Sequence, residues 1–404
     1  MQMRSPLRML MLTHAVPFPI REGGQVYTAN IIRTLSERDD VELAVIAIGQ
    51  PEAQTELPPR ARWSLARSSS LGGIVRGILG RYPRSTAATR TRTFRRALNR
   101  MLTSSEWDVV IFDYIAIGWT LPIVQRKTQG SRALLVYISH NVESILRPMI
   151  ADGVVGSRML RLLARRDARK AAKLEASLVS AADLVTAETE EDVLVFRSLF
   201  PSATLHRYTP GYAGNIEDVR AVPLIDSSRA VTVIGSRNGI MKRLVLDEFL
   251  RTASNALAAI GVGVVVAGDA PDSYLRALRS EYPEVDFRGY VEDLPGLLSA
   301  SRLAVVNDHI GGGFKHRVLT LVFNRVPIAA APEAMAGLPL DAGVHYLAIG
   351  PDGDLPELVG DVIDDFDRLE LLQRAAFDVC REAFSWDRQT EEFVEALSAQ
   401  HQAE

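Results

Sequence analysis

A chain of 404 residues, 47% hydrophobic and 24% charged, can bury more than one apolar core, which excludes a disordered or fibrous protein and favours two domains or more. Its single cysteine, Cys380, excludes an internal disulfide. No apolar run approaches the roughly 18 residues of a membrane span, and the N-terminal run is too short for a signal peptide, so a reducing, cytoplasmic setting is expected.

The predicted elements alternate from the start. LRMLMLTH (7–14) has the continuous apolar pattern of a buried strand. A turn-rich stretch, AVPFPIREGGQ, leads into a helix over VYTANIIRTLSER, with Val26, Ala29, Ile31, Ile32 and Leu35 as its apolar positions. Strands follow at 41–49, 107–114, 133–140 and 182–189, with an Arg-, Ala- and Leu-rich helical region between the last two. Alternation of this kind implies parallel pairing with both sheet faces covered.

Charge is distributed unevenly. Residues 1–200 hold 28 Lys and Arg against 19 Asp and Glu, and the remainder 18 against 30. Most of the basic excess lies in 60–100, which has 11 Arg, no Lys and no acidic residue, with Ile74, Val75, Ile78 and Leu79 among the cations. Such a segment suits an anionic membrane surface or an acidic substrate; a solvated basic loop and helix is the alternative. No nucleic-acid partner is expected.

Periodicity breaks down over 201–230, where Pro, Gly and polar residues dominate, and then the alternation restarts. Strands are expected at 230–236, 262–269, 285–291, 303–308 and 326–332, separated by helices, in the order of a doubly wound sheet. The domains are therefore 1–205, a linker over 206–229, 230–385, and a closing helix over 386–404.

The stretch 307-NDHIGGGFKHRVLTLVFNRVPIAAAP-332 joins an unhindered backbone to a cation and a helix start. Gly311, Gly312 and Gly313 permit positive φ and close approach of a ligand to successive N–H groups. A helix is expected from Phe314, with Phe314, Val318, Leu321 and Val322 on one face, and Lys315 adds a positive charge at its beginning. Together these make a phosphate cradle. For the glycine run taken alone, a flexible loop ahead of a helix, with Lys315 solvated, is the favoured reading, and context has to decide.

The order of motifs resembles the GT-B glycosyltransferases, specifically family 4-like members. VTVIGS, VVVAGD and VDFRGYVEDLPGLLSASRLAVV resemble successive blocks of their donor-binding domain, and GGGFKHRVLTLVFNRVPIAAAPEAMAGLPLDAGVHYLAIG resembles the block GGG-x-K-x-K-V-L through to a later G-L. PFPIREGGQVYTANIIRTLSE, SHNVES (139–144) and FSWDRQTEEFVEAL resemble the opening, the His-Asn-x-Glu loop and the closing segment, so the similarity spans nearly the whole chain.

The resemblance implies two Rossmann-like doubly wound domains facing a cleft, with the last helix crossing back to the first domain. It implies a metal-independent, retaining hexosyl- or related glycosyltransferase, without a cofactor, that uses a nucleotide-diphospho-sugar of unspecified base in polysaccharide or glycoconjugate synthesis. Lys315 with Gly312, Gly313 and Phe314 is assigned to the donor diphosphate and sugar. Arg237 is assigned to its phosphates along with either Lys242 or Arg243. Gly23 and Gly24 approach the phosphate from the first domain, His140 contacts the donor sugar, and the backbone of Gly289, Tyr290 and Val291 reads the base edge. The acceptor is expected on the first domain and, given the basic segment, to be anionic or lipid-linked, with peripheral membrane contact through 60–100.

The chain also departs from the pattern. Two glutamates with seven residues between them usually flank the glycine block, the second contacting the ribose; here those positions are Gly312 and Thr320, with Asp308 and Glu333 left to compensate. Arg325 stands where glycine is usual. A degenerate GT-B protein that binds nucleotide or a partner without turnover, or a sugar-nucleotide epimerase, are the competing expectations.

Overall fold

The computed structural model describes residues 6–20, 23–50, 56–67, 80–153, 157–214, 216, 219–308, 314–350 and 355–403. Gly311, Gly312 and Gly313, and the apolar residues Ile74 to Leu79, lie outside the described residues. Two units divide the chain: Met1–Pro210 with Trp386–Glu404, and Gly211–Ser385.

Unit 1 is built on a seven-stranded, wholly parallel sheet in the order β3-β2-β1-β4-β5-β6-β7. The strands are β1 (Leu7–Thr13), β2 (Val41–Ile48), β3 (Arg62–Ala66), β4 (Val109–Asp113), β5 (Leu134–Ile138), β6 (Leu184–Ala187) and β7 (Leu205–Arg207). Side chains alternate between faces, so Leu10, Leu12, Val110 and Phe112 enter one core while Met9, Met11, Val109 and Ile111 enter the other. Both cores are lined by buried apolar side chains, which is why these strands read as continuous apolar runs.

The closing helix, Trp386–Ala403, covers the second face with Trp386, Phe393 and Leu397. Each such buried side chain contributes about 1.5–3 kcal/mol. Hydrogen bonds fix its register: the Thr390 hydroxyl meets Thr34 at 2.7 Å and Tyr208 at 2.9 Å.

Two short strands of this sheet escaped the sequence reading. β3 is an edge strand inside the Arg-rich stretch, with Arg62 pairing with Ala44 and its guanidinium 5.5 Å from the Trp107 ring. Its mixed burial breaks the apolar pattern that marks a central strand. β7, three residues long, straddles the expected boundary between the first domain and the linker. The rest of the described Arg-rich stretch is helical: Arg92–Ser104 is capped by Thr91, whose hydroxyl accepts from the Phe94 N–H at 3.0 Å, and buries Phe94, Leu98 and Met101.

Unit 2 carries a six-stranded parallel sheet in the order β10-β9-β8-β11-β12-β13. Its strands are β8 (Ser228–Ile234), β9 (Gly263–Ala267), β10 (Val285–Gly289), β11 (Ser301–Val306), β12 (Ile328–Ala330) and the two-residue β13 (Leu347–Ala348). Alternation again serves two cores, Val231, Val233, Leu303 and Val305 facing one and Ile234, Ala304 and Val306 the other. Cys380 is fully buried on the helix Phe366–Ala383. The helix after the glycine run is shorter than expected, His316–Phe323, with Lys315 as its N-cap. Phe314 precedes the helix yet is still buried, 5.6 Å from the Phe384 ring.

The arginine at a glycine position has a physical account. Arg325 has φ of +57°, a conformation glycine adopts without penalty and other residues adopt at a cost of about 1–2 kcal/mol. Its guanidinium lies 3.5 Å from the Phe377 ring centroid, in a nearly solvent-free position where such a contact is strongest. Arg325→Ala keeps the strained backbone and loses the stacking, whereas Arg325→Gly loses the stacking and relieves the strain. Denaturant unfolding should therefore rank wild type above Gly and Gly above Ala, the last two differing by about 1 kcal/mol; an Ala variant as stable as wild type would contradict this.

Candidate functional site

In an open parallel sheet, ligands bind beyond the carboxyl ends of the strands where the strand order reverses. Each unit has one such point, between β1 and β4 in unit 1 and between β8 and β11 in unit 2.

At the unit 2 reversal, the chain leaves β8 through Gly235, with φ of +124°, and turns Arg237 inward. The turn is fixed by the Arg237 N–H donating to the Asp269 carbonyl at 2.7 Å. It packs against Gly268 so closely that a Cβ there would lie 2.1 Å from the Gly235 carbonyl oxygen. Arg317, on the first turn of the His316–Phe323 helix, reaches the same place: a Cβ on Gly235 would sit 3.4 Å from Nη1 of Arg237 and 3.5 Å from Nη1 of Arg317. These two residues line a small crevice with Asn307 and Asp308.

The electrostatics of this crevice are unbalanced. Asp308 forms an ion pair with Arg317, and it is the one carboxylate paired with either guanidinium among the described residues. Arg237 is 6% exposed, and its buried Nε finds no partner among the described residues. Burial pulls the Arg317 guanidinium down to about 9, with the charge of Arg237 adding to the effect, and burial pulls Arg237 down to about 10. Both stay charged at neutral pH, so the crevice holds two cations against one anion. An additional anion with several oxygens would relieve that imbalance and satisfy Nε.

The other unit 2 candidates fall into two groups. Lys242 folds back so that its side chain lies 3.9 Å from a Cβ position on Gly239, at the loop. Arg243 turns away to Tyr274, its guanidinium 5.7 Å from the ring. Lys315, half-buried, stands at the helix start. Thr320 donates its hydroxyl to the His316 carbonyl at 3.3 Å, within its own helix. Asp308 is engaged by Arg317, and Glu333 is exposed on a short turn of helix. The Gly289 carbonyl already accepts from the Gly268 N–H at 2.7 Å, Tyr290 is exposed, and Val291 packs against the core.

At the unit 1 reversal, His140 follows β5 and Asp113 ends β4, and the two meet at 2.7 Å between Nε2 and Oδ1, both buried. Thr28 donates to the other Asp113 oxygen at 2.9 Å. The helix starts at Gly23 rather than at Val26, so Gly23 and Gly24 are its first residues and not part of a preceding turn. Their N–H groups belong to the first turn, which has no intrahelical acceptors. A Cβ on Gly24 would lie 3.6 Å from Nδ1 of His140, so glycine leaves this ring nitrogen room. With Nε2 committed to Asp113, Nδ1 is the atom left for a ligand.

Tyr114 stands beside this pair with φ of +71°, a strained conformation at the end of β4. Its ring centroid is 5.2 Å from that of His140, and its hydroxyl accepts from Nη2 of Arg147 at 2.9 Å. Arg147 in turn pairs with Glu143, the first residue of the helix Glu143–Asp152. Glu175 caps the Glu143–Asp152 helix by accepting from the N–H groups of Glu143 and Ser144, each at 2.8 Å, and burial raises its carboxyl to about 7. Asp113, Arg147, Glu175 and Arg317 were not singled out from sequence. Arg317 carried a signal, since it occupies the second basic position of GGG-x-K-x-K.

A cavity of about 360 Å³ lies at the opposite end of the unit 1 sheet beside Leu134, Asp183 and Thr204, and no basic residue is among those lining it, so it supplies no positive charge to a phosphate.

Comparison with protein-family models gives no match, and comparison with curated proteins gives none either. Solved structures do match. Sucrose-phosphate synthase from Thermosynechococcus elongatus superposes with a TM-score of 0.74 at 15% identity, covering 98% of this chain and 100% of that one. HepE from Anabaena, solved with UDP and glucose, gives 0.65 at 16%, covering 97% and 100%. WaaG, a glycosyltransferase involved in lipopolysaccharide biosynthesis, gives 0.64 at 13%, covering 96% and 99%. At these identities the likeness establishes the fold: the chain has the GT-B fold, with a GT4-like arrangement of elements.

The Asp113–His140 pair generates a pH prediction. Burial alone would lower the His140 pKa, but the Asp113 carboxylate and its hydrogen bond outweigh burial and raise it. For Asp113, burial pushes upward and His140 overcomes it, leaving the carboxyl below its usual value. A raised histidine stabilises fully below its unfolded pKa of about 6.5, and this contribution is lost as pH rises through the folded value; a depressed carboxyl stabilises above about 3.9 and is lost as pH falls through its folded value. The pair therefore stabilises most between those limits. By NMR, His140 should titrate above 6.5 in wild type and at a lower pH in Asp113→Asn, where burial is opposed only by the weaker pull of Glu188 and Glu143; the same midpoint in both would contradict the pairing.

Proposed function

We propose that the chain is a retaining, metal-independent glycosyltransferase that takes its sugar from a nucleotide-diphospho-sugar bound at the unit 2 crevice. The convergence of Arg237 and Arg317 under a single carboxylate carries this reading. As the bond between the anomeric carbon and the diphosphate breaks, charge accumulates on the departing oxygens, and fixed cations stabilise that charge without reorganising. A new bond forms from the acceptor hydroxyl to the same carbon, and its proton passes to the departing phosphate. Arg237 suits a bidentate grip on phosphate, while Lys315 and Lys242 act as point charges.

HepE has been solved with UDP and with UDP-glucose, which favours a uridine donor here. With Thr320 turned to its own helix and Asp308 paired, backbone near Gly289 to Val291 is left to hold the nucleoside. In unit 1, His140, whose pKa Asp113 raises, presents Nδ1 and carries the sugar-contacting role implied by the resemblance, aided by the N–H groups of Gly23 and Gly24. The basic excess of unit 1 suits an anionic or lipid-linked acceptor, in a cytoplasmic setting. The hydroxyl of Thr320, in place of a ribose-binding carboxylate, favours a second reading in which nucleotide binds without turnover.

A mass-shift screen with nucleotide sugars and candidate acceptors separates these readings, since binding without any transfer or hydrolysis supports the second. With an active donor, Lys315→Ala should lower kcat by roughly 100-fold, about 3 kcal/mol, while folding survives. Arg237→Lys should recover only part of the loss in Arg237→Ala, because an ammonium lacks the planar fork. Unchanged kcat in Lys315→Ala, or complete rescue by lysine, would remove those roles.

A further inference from the structure

Two packed helices of unit 1, Glu143–Asp152 and Arg158–Ala181, present large apolar side chains to solvent. Ile145, Met149 and Ile150 on the first, and Met159, Leu160 and Leu162 on the second, are between 37% and 63% exposed. The long helix has no buried residue before Ala168, so its first turns extend beyond the core that its later turns cover. Six clustered apolar side chains are more than the scattered exposed Leu or Ile of an ordinary surface.

The same helix holds seven basic residues and two acidic ones. At 3.6 residues per turn, Arg158, Arg161, Arg165 and Arg169 form one stripe, with Leu162 and Met159 on the adjoining one. Arg165 is engaged by Asp152, while Arg158 and Arg166 are exposed. The Arg-rich segment adjoins this helix, because the Arg84 N–H donates to Asp167 at 2.8 Å. Cations thus border an apolar cluster, the composition of a helix that lies in a membrane interface.

We propose that the helix pair 143–152 and 158–169 docks on an anionic lipid surface, the apolar side chains entering the headgroup boundary and the arginines meeting lipid phosphates. A second copy is a poor occupant, because a two-fold contact sets the same patch against itself and so opposes arginine to arginine. A protein partner is also disfavoured, since the exposed apolar residues contain no aromatic anchor of the kind that dominates such interfaces. The proposal is independent of the nucleotide reading, and it moves the apolar half of any membrane contact from Ile74–Leu79 to this pair of helices.

The full chain should cosediment with phosphatidylcholine vesicles containing phosphatidylglycerol, bind phosphatidylcholine alone much more weakly, and dissociate as salt is raised. Replacing Arg158, Arg161 and Arg166 together by Gln should lower partitioning on the order of 100-fold, about fivefold per charge. Replacing Met159, Leu160 and Leu162 together by Ser should lower it on the order of 10-fold per side chain. Melting temperature and UDP affinity should hold in both variants, since the replaced side chains are exposed and belong to unit 1, whereas the crevice is built from unit 2 residues alone. No binding of wild type to the anionic vesicles at low salt overturns the proposal. So does full binding by the Ser variant, loss of binding only on replacing Arg92, Arg95 and Arg96, or a wild-type dimer that the Ser variant converts to monomer.

Discussion

Two guanidinium groups, Arg237 and Arg317, converge on one point with a single carboxylate, Asp308, paired to Arg317, and the surrounding architecture of unit 2 makes this possible. Like charges in a half-buried crevice repel, and burial strips them of water, so the chain must hold them there by force of packing. Gly235 and Gly268 do this through a backbone approach that admits no Cβ, and the apolar face of the His316–Phe323 helix anchors Arg317 from the other side. An arrangement so unfavourable when empty is favourable only toward an anion. The parallel strand order determines where such a place can occur, at the carboxyl ends of β8 and β11.

Unit 1 meets a comparable constraint with the opposite solution. At its own reversal point, a buried histidine is charge-matched by a buried aspartate, so the site is neutral as a pair and needs no ligand to be stable. What remains is a single directed ring nitrogen, Nδ1, beside a helix start whose first residues are glycines. Strain at Tyr114 and the Arg147–Glu143 pair hold the surrounding loop in place. The two reversal points therefore differ in chemistry: that of unit 2 gathers positive charge, and that of unit 1 exposes one histidine nitrogen beside a paired carboxylate.

Most central strands were evident from sequence because strands buried on both faces read as apolar runs, as in LRMLMLT and WDVVIFD. β3, β7 and β13 were not, since edge strands of two to five residues with mixed burial produce no such run. Arg237 was accessible because it follows a strand closely in a short loop. Asp113 was hidden: it reads as the last residue of an apolar strand, and only the pairing of β4 with β5 brings it to His140. Arg317 was hidden among helix residues, where its direction depends on the turn from which the helix starts. The helix began two residues later than its apolar pattern implied, because Phe314 is buried without being helical.

The account stands on Arg237 and Arg317 acting together on one diphosphate, and a double-mutant cycle tests that most directly. Isothermal titration of UDP into wild type, Arg237→Ala, Arg317→Ala and the double variant gives four affinities and one coupling free energy. Shared contact with one diphosphate predicts a clear loss in each single variant and a coupling between about 0.5 and 3 kcal/mol. Wild-type affinity in either single variant, or strictly additive losses, would contradict it.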